Sequence, residues 1–165
     1  MPDDISTDCV IEDDRWATLG LESLAERAVE AVLSRHGLGG EVVVMGCDDA
    51  RIAALNADFR GKPRATNVLS WPSVDHIPHE PGAIPELPVA EELGDIAIAY
   101  DTCLAEAQAQ GKPVAHHVTH LLVHATLHLL GYDHDNDADA ETMEAAERSI
   151  LLRLNIPDPY QEKVR

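Results

Sequence analysis

Six of the nine histidines, His116, His117, His120, His124, His128 and His134, fall within nineteen residues. Imidazole is the side chain suited both to ligating zinc and to moving a proton near neutrality. His120, His124 and His128 follow one another at intervals of four. On a helix each such step turns about 40° beyond a full turn and rises about 6 Å, which keeps the three along one stripe. A pair of histidines at i and i+4 can share one zinc ion, although such a pair alone is only moderately specific. The segment His124-Ala125-Thr126-Leu127-His128-Leu129-Leu130-Gly131-Tyr132-Asp133-His134 adds a third histidine. It follows Gly131, a residue that lets the chain reverse because it has no β-carbon. Three neutral imidazoles leave one position open on a tetrahedral ion, the arrangement of a catalytic zinc, which lowers the pKa of a bound water to roughly 7. One zinc per chain on His124, His128 and His134 is therefore expected, although imidazoles also suit nickel, copper and iron.

Around this set the alternatives stay open. His116 and His120 divide between packing, support of a ligand and proton transfer, with His120 the candidate catalytic acid or base. Asp133 or another carboxylate could orient a liganding imidazole. The ligand spacing is also that of the metzincin peptidases, but Ala125 stands where those enzymes carry the glutamate base, which demotes a peptidase. Asp133, Asp135, Asp137 and Asp139 resemble a calcium loop only until Ala138, which occupies the position that requires glycine, so a helix-leading acidic segment is expected instead.

A second chemistry-bearing group is Arg60, Lys62 and Arg64, three cations within five residues that also include Gly61 and Pro63. They could grip a phosphate or simply decorate a solvated loop. The formal net charge of −18 repels polyanions over most of the surface, so a nucleic acid would have to be held locally.

Elements able to position these groups can be read from periodicity and breakers. Residues 3–11 read as a first strand, 16–36 as a helix stopped by Gly37, and 41–47 as a buried strand. Asp48 is expected to cap a helix through Phe59, with a strand over 67–71. Pro72, Pro78, Pro81, Pro85 and Pro88 break regular structure over 72–92 and leave a long surface excursion with scope to move. Residues 94–99 read as the last strand, and Asp101 as the cap of a helix to Gln110 that ends at Gly111-Lys112-Pro113. A helix over 114–130 carries the histidines, and a final helix covers 138–154. Helices and short strands alternate without repeats, giving an α/β fold of α+β type: one small mixed sheet packed with about five helices, the metal site on a late helix and the turn after it.

With 165 residues, 45% of them hydrophobic and 25% charged, a single domain spanning 1–165 is expected. No apolar run is long enough to span a membrane, and Met1-Pro2-Asp3-Asp4 lacks the basic start of a signal peptide, so a cytoplasmic protein is expected. Cys9, Cys47 and Cys103 are too few and too scattered for a disulfide framework or a disulfide-linked partner.

Three separated stretches resemble the YbeY family of bacterial metal-dependent endoribonucleases. They are Phe59-Arg60-Gly61-Lys62-Pro63-Arg64-Ala65-Thr66-Asn67-Val68-Leu69-Ser70-Trp71, then Leu93-Gly94-Asp95-Ile96-Ala97-Ile98, and the run from His116 through His134, followed later by Asp158-Pro159-Tyr160. The resemblance implies zinc on His124, His128 and His134, and Arg60 as the basic residue important for cleavage, with Lys62 and Arg64 beside it as substrate contacts. It further implies single-stranded RNA as substrate, and action in ribosomal RNA processing (16S rRNA 3′ end maturation) and ribosome quality control, with the ribosome or ribosome-assembly proteins as partners. The family usually has glycine where Ala125 stands and phenylalanine where Trp71 stands, and the proline-rich stretch is longer here. Rival readings are a zinc peptidase-like or other metal-dependent hydrolase, and a non-catalytic ribosome-associated RNA-binding module.

Overall fold

The computed structural model describes residues 4–73, 76, 78–88 and 90–160. Four strands and six helices follow in the order β1 (Ile5–Ile11), α1 (Arg15–Leu19), α2 (Leu21–Arg35), β2 (Gly40–Cys47), α3 (Asp49–Arg60), β3 (Val68–Pro72), β4 (Glu92–Ala99), α4 (Tyr100–Gln110), α5 (Val114–Leu129) and α6 (Asp137–Arg153). The fold is α+β, and its one sheet is mixed, in the order β1-β2-β4-β3. β1 pairs parallel to β2 and β2 parallel to β4, whereas β3 runs antiparallel to β4 with Leu69 opposite Ala97 and Trp71 opposite Asp95.

Side-chain alternation along the strands divides the sheet into two unequal faces. Val42, Val44, Ile96 and Ile98 turn to the main core with α2, α5 and α6. On the other side Cys47, Ala97, Ala99 and Leu69 meet Ile52 of α3 in a second, smaller core. α5 is the central helix of the main core, with Val118, Leu122, Val123, Leu127 and Leu129 fully buried. Its hydrophobic packing therefore fixes where its histidines point.

Two expectations about helices are corrected. The helix expected over 16–36 is divided at Gly20, whose φ of 89° no other residue adopts cheaply, so the helices number six rather than about five. α1 tucks Trp16, fully buried, beneath the start of α2, and its indole Nε1 donates to Cys47 O at 2.9 Å. Asp101 is not the cap of α4. β4 runs directly into that helix with Ala99 at the cap position, and Asp101 lies in the first turn, where it pairs with Arg15 at 2.8 Å. Asp48 does cap α3, accepting from Arg51 N.

Within the described part of the proline-rich stretch there is no helix or strand between Pro72 and Glu92, as expected, but the segment is tied down. Asp139 in the first turn of α6 accepts from Gly82 N at 2.8 Å and from Asn136 Nδ2 at 2.7 Å, and Thr142 Oγ1 donates to Gly82 O at 2.6 Å. Pro85 is buried and Leu87 packs on the main core. The acidic segment leads α6, with Asn136 as its cap and Asp137 and Asp139 in the first turn, as carboxylates at a helix N-terminus favour.

Candidate metal centre

α5 offers its histidines on a face left free by the aliphatic residues that bury the others. After Leu130 the chain turns at Gly131, where φ is 108° and Tyr132 N donates back to Leu127 O at 3.2 Å. That reversal carries Tyr132 into the core, where its hydroxyl donates to His36 Nε2 at 2.9 Å, and brings His134 back toward the helix. The ligand atoms of His124, His128 and His134 lie within 4.8 Å of one another.

Ring nitrogens in the first two can be assigned from their partners. His128 Nδ1 lies 2.8 Å from Tyr132 O, and a carbonyl only accepts, so the proton is on Nδ1. His124 Nδ1 lies 2.6 Å from Glu147 Oε2, an ionised carboxylate that likewise only accepts. Both Nε2 atoms then carry bare lone pairs, and they face each other at 3.1 Å. Two acceptors at that distance repel unless a cation lies between them. A tetrahedral ion with bonds of about 2.0 Å spaces two ligands by about 3.3 Å, so the observed separation fits a metal ion of the size that imidazoles bind. His128 is pushed down to about 4 by burial and by His124 and His134 beside it, which keeps it neutral and ready to ligate.

Behind the pair stands Glu147 of α6, fully buried. Burial alone would raise its carboxyl, but hydrogen bonds from His120 and His124, with Tyr160, hold it at about 2. His120 Nε2 donates to Glu147 Oε1 at 3.0 Å, and Tyr160 Oη donates to the same oxygen at 2.5 Å. His120 Nδ1 is buried without a partner. Sequence reasoning did not single out Glu147, although a signal was present: Met143, Ala146, Ile150 and Leu151 form the buried stripe of α6, and Glu147 is a carboxylate set inside it, beyond the first helical turn where Asp139 serves the N-terminus.

A cavity of about 240 Å³ opens over the histidines. Arg60, Asn67, Ser70, His120, His124, His128, His134 and Tyr160 all line it, so Arg60 at the end of α3 and the three expected ligands share one space. Lys62 and Arg64 do not line it. They border an adjoining cavity of about 390 Å³ that also includes Arg60 and Val68. Asn56, 5% exposed, folds that loop by donating to Arg64 O at 3.0 Å. Asn67 Nδ2 is held by Glu106 Oε1 at 3.0 Å, which also accepts from His117 Nε2 at 2.8 Å. His116 lies elsewhere, lining a separate recess with Leu24 and Arg27. The carboxylate on an expected ligand is thus Glu147, which holds His124, while Asp133 sits near His79 and Asp139 in a second cluster. Asp139 in that cluster is already occupied by Gly82, Asn136 and His79 as donors.

Comparison with known proteins matches residues 8–155 to the family described as "Endoribonuclease YbeY". Among similar proteins, Endoribonuclease YbeY of Paracoccus denitrificans is 70% identical over 156 residues, covering 94% of this chain and 90% of that protein. The Dinoroseobacter shibae protein of the same name is 53% identical, covering 97% and 94% respectively. The solution structure of TM1509 from Thermotoga maritima superposes with a TM-score of 0.55 at 22% identity, covering 94% of this chain and 99% of that one, a likeness of fold.

Proposed function

The chain belongs to the Endoribonuclease YbeY family, and on that premise we propose that it is a zinc-dependent endoribonuclease that cuts single-stranded RNA. The proposed setting is ribosomal RNA processing, including 16S rRNA 3′ end maturation, and ribosome quality control in the cytoplasm, as one domain spanning 1–165 with the ribosome or ribosome-assembly proteins as partners. One observation carries the metal part: the bare Nε2 atoms of His124 and His128 face each other at 3.1 Å with His134 beside them. In this reading His124, His128 and His134 hold one zinc ion per chain. When bound, zinc supplies a Lewis acid that activates water and offsets the charge developing on a phosphate.

The remaining work falls to the chain's own residues. The Arg60 side chain makes no hydrogen bond or ion pair among the described residues and borders the histidine cavity, so its planar guanidinium is free to take two phosphate oxygens. Lys62 and Arg64 bind the neighbouring stretch of backbone in the adjoining cavity. A narrow, locally basic track suits a single strand on a protein whose net charge is −18. His120, expected as a proton-transfer residue, has its Nε2 committed to Glu147, so its part in catalysis is exercised through that carboxylate. All three cysteines are free, and among the described residues no helix is long and apolar enough to cross a membrane.

The test is cleavage of a single-stranded RNA by wild type, Arg60→Ala, His124→Ala and a chelated sample, with metal content measured on each. Cutting by wild type alone, with metal retained in Arg60→Ala and lost from His124→Ala, supports the reading. Equal cutting by all four identifies a contaminant, and intact metal with no cutting favours the RNA-binding module. Product ends then separate the two routes, since attack by the RNA's own 2′-hydroxyl leaves a 2′,3′-cyclic phosphate and attack by water does not.

A further inference from the structure

An ionised carboxylate in a protein interior is tolerated only where its acceptor sites are answered by donors. Glu147, 0% exposed, has three: Tyr160 Oη and His120 Nε2 on Oε1, and His124 Nδ1 on Oε2 at 2.6 Å. They come from three places, the segment beyond α6, one turn of α5 and the next turn of α5. A carboxylate meant only to fasten α6 to α5 could take its donors anywhere along the two helices. Glu147 instead commits one whole oxygen to the far nitrogen of a proposed ligand, where it fixes both the tautomer and the rotation of the ring.

The other two proposed ligands differ. His128 has only a backbone carbonyl on its Nδ1, and His134 is exposed. Among the described residues His124 is therefore the one proposed ligand with an anion hydrogen-bonded behind it, and that anion strengthens its Nε2 as a donor to a cation. Tyr160 completes the arrangement. Asp158 accepts from Tyr160 N at 2.8 Å and pairs with Arg148 at 3.2 Å, which anchors the segment one helical step from Glu147 itself.

We propose that Glu147 is a positioning residue for the metal centre and that Tyr160 in turn fixes Glu147, so that His124 is presented in ligating form before the ion arrives. This rests on the reading of His124 as a ligand. The experiment is zinc titration of the full chain against a chromophoric chelator for wild type, Glu147→Gln, Tyr160→Phe and His124→Ala, with thermal unfolding of each metal-free protein followed in parallel. Glu147→Gln should bind zinc roughly 10- to 100-fold more weakly. Tyr160→Phe, which keeps the ring and loses only the hydroxyl, should bind it roughly fivefold more weakly, as the loss of one hydrogen bond predicts, with the thermal midpoint of the metal-free protein lowered by no more than that one bond costs. A mere fastening role lowers thermal stability and leaves zinc affinity at the wild-type value, and that result overturns the proposal. Should Glu147→Gln fail to fold, Tyr160→Phe decides alone, and wild-type affinity there removes Tyr160 from the arrangement. If His124→Ala binds zinc as wild type does, the ligand assignment itself has failed, a result distinct from failure at Glu147 alone.

Discussion

His124 and His128 stand on a helix whose neighbouring side chains are fully buried, and each has its Nδ1 answered at 2.6 or 2.8 Å. Arg60, the last residue of α3, borders the same cavity, and Lys62 and Arg64 follow it on a short loop beside the adjoining cavity; all three are exposed, and the loop is fastened by backbone and by Asn56. If His124 and His128 hold an ion as proposed, burial and outer hydrogen bonds serve them, because ligand geometry tolerates little error. Exposure serves the group that must meet a long, variable polyanion, because a solvated cation adjusts its rotamer to each phosphate. In the proposed reading the histidine rim serves chemistry, Lys62 and Arg64 serve capture, and Arg60, which borders both cavities, joins the two.

That contrast can be broken in order of expected effect. His124→Ala should abolish metal binding and bring RNA cleavage to background, read by metal analysis beside the assay. Arg60→Ala, with full metal occupancy, should lower kcat/KM by on the order of 10²–10³, as loss of a group that meets transition-state charge does. Equal metal loss in both variants would mean that the two rims are not separate. Lys62→Ala and Arg64→Ala should leave kcat near wild type and raise KM roughly threefold each, while the slope of log KM against log salt falls by about 0.7 per cation removed, as for a single strand. A change in kcat instead would move these residues to the chemical rim.

Acid provides the last and smallest test. His128 is held at about 4, below its ordinary value, so between pH 6.5 and 4 the unfolded chain binds the extra proton and the folded chain does not. Stability of the chelated protein should fall as pH drops through that window. Glu147, held at about 2, removes further stability between about pH 4.5 and 2. A flat thermal midpoint from pH 7 to 5 would show that the histidine environment is looser than its burial implies.

What could be read in the sequence was mostly local. His124, His128, Gly131 and His134 lie within eleven residues, so helical pitch and one turn determine their meeting, and Arg60 was legible as a cation in a short basic run. Glu147 was not, because its meeting with His124 depends on how α6 crosses α5, and no spacing along one helix encodes that crossing. Gly20 divided a helix that periodicity alone carried through, since Leu21, Leu24, Ala28 and Val32 keep their rhythm on the far side of it. Asp101 was misread as a cap because its sequence neighbours suit one, whereas Arg15, eighty-six residues away, claims its carboxylate. The order of the strands was likewise beyond reach, since β4 inserts between β2 and β3.

The order of synthesis gives the Tyr160–Glu147 arrangement a temporal meaning. Synthesis adds His124, His128 and His134 before Glu147, and Glu147 before Tyr160. During that interval the histidines have no carboxylate behind them, and the hydroxyl that closes the arrangement arrives later still. A product truncated before Glu147 would therefore carry His124, His128 and His134 without the carboxylate that holds His124 Nδ1.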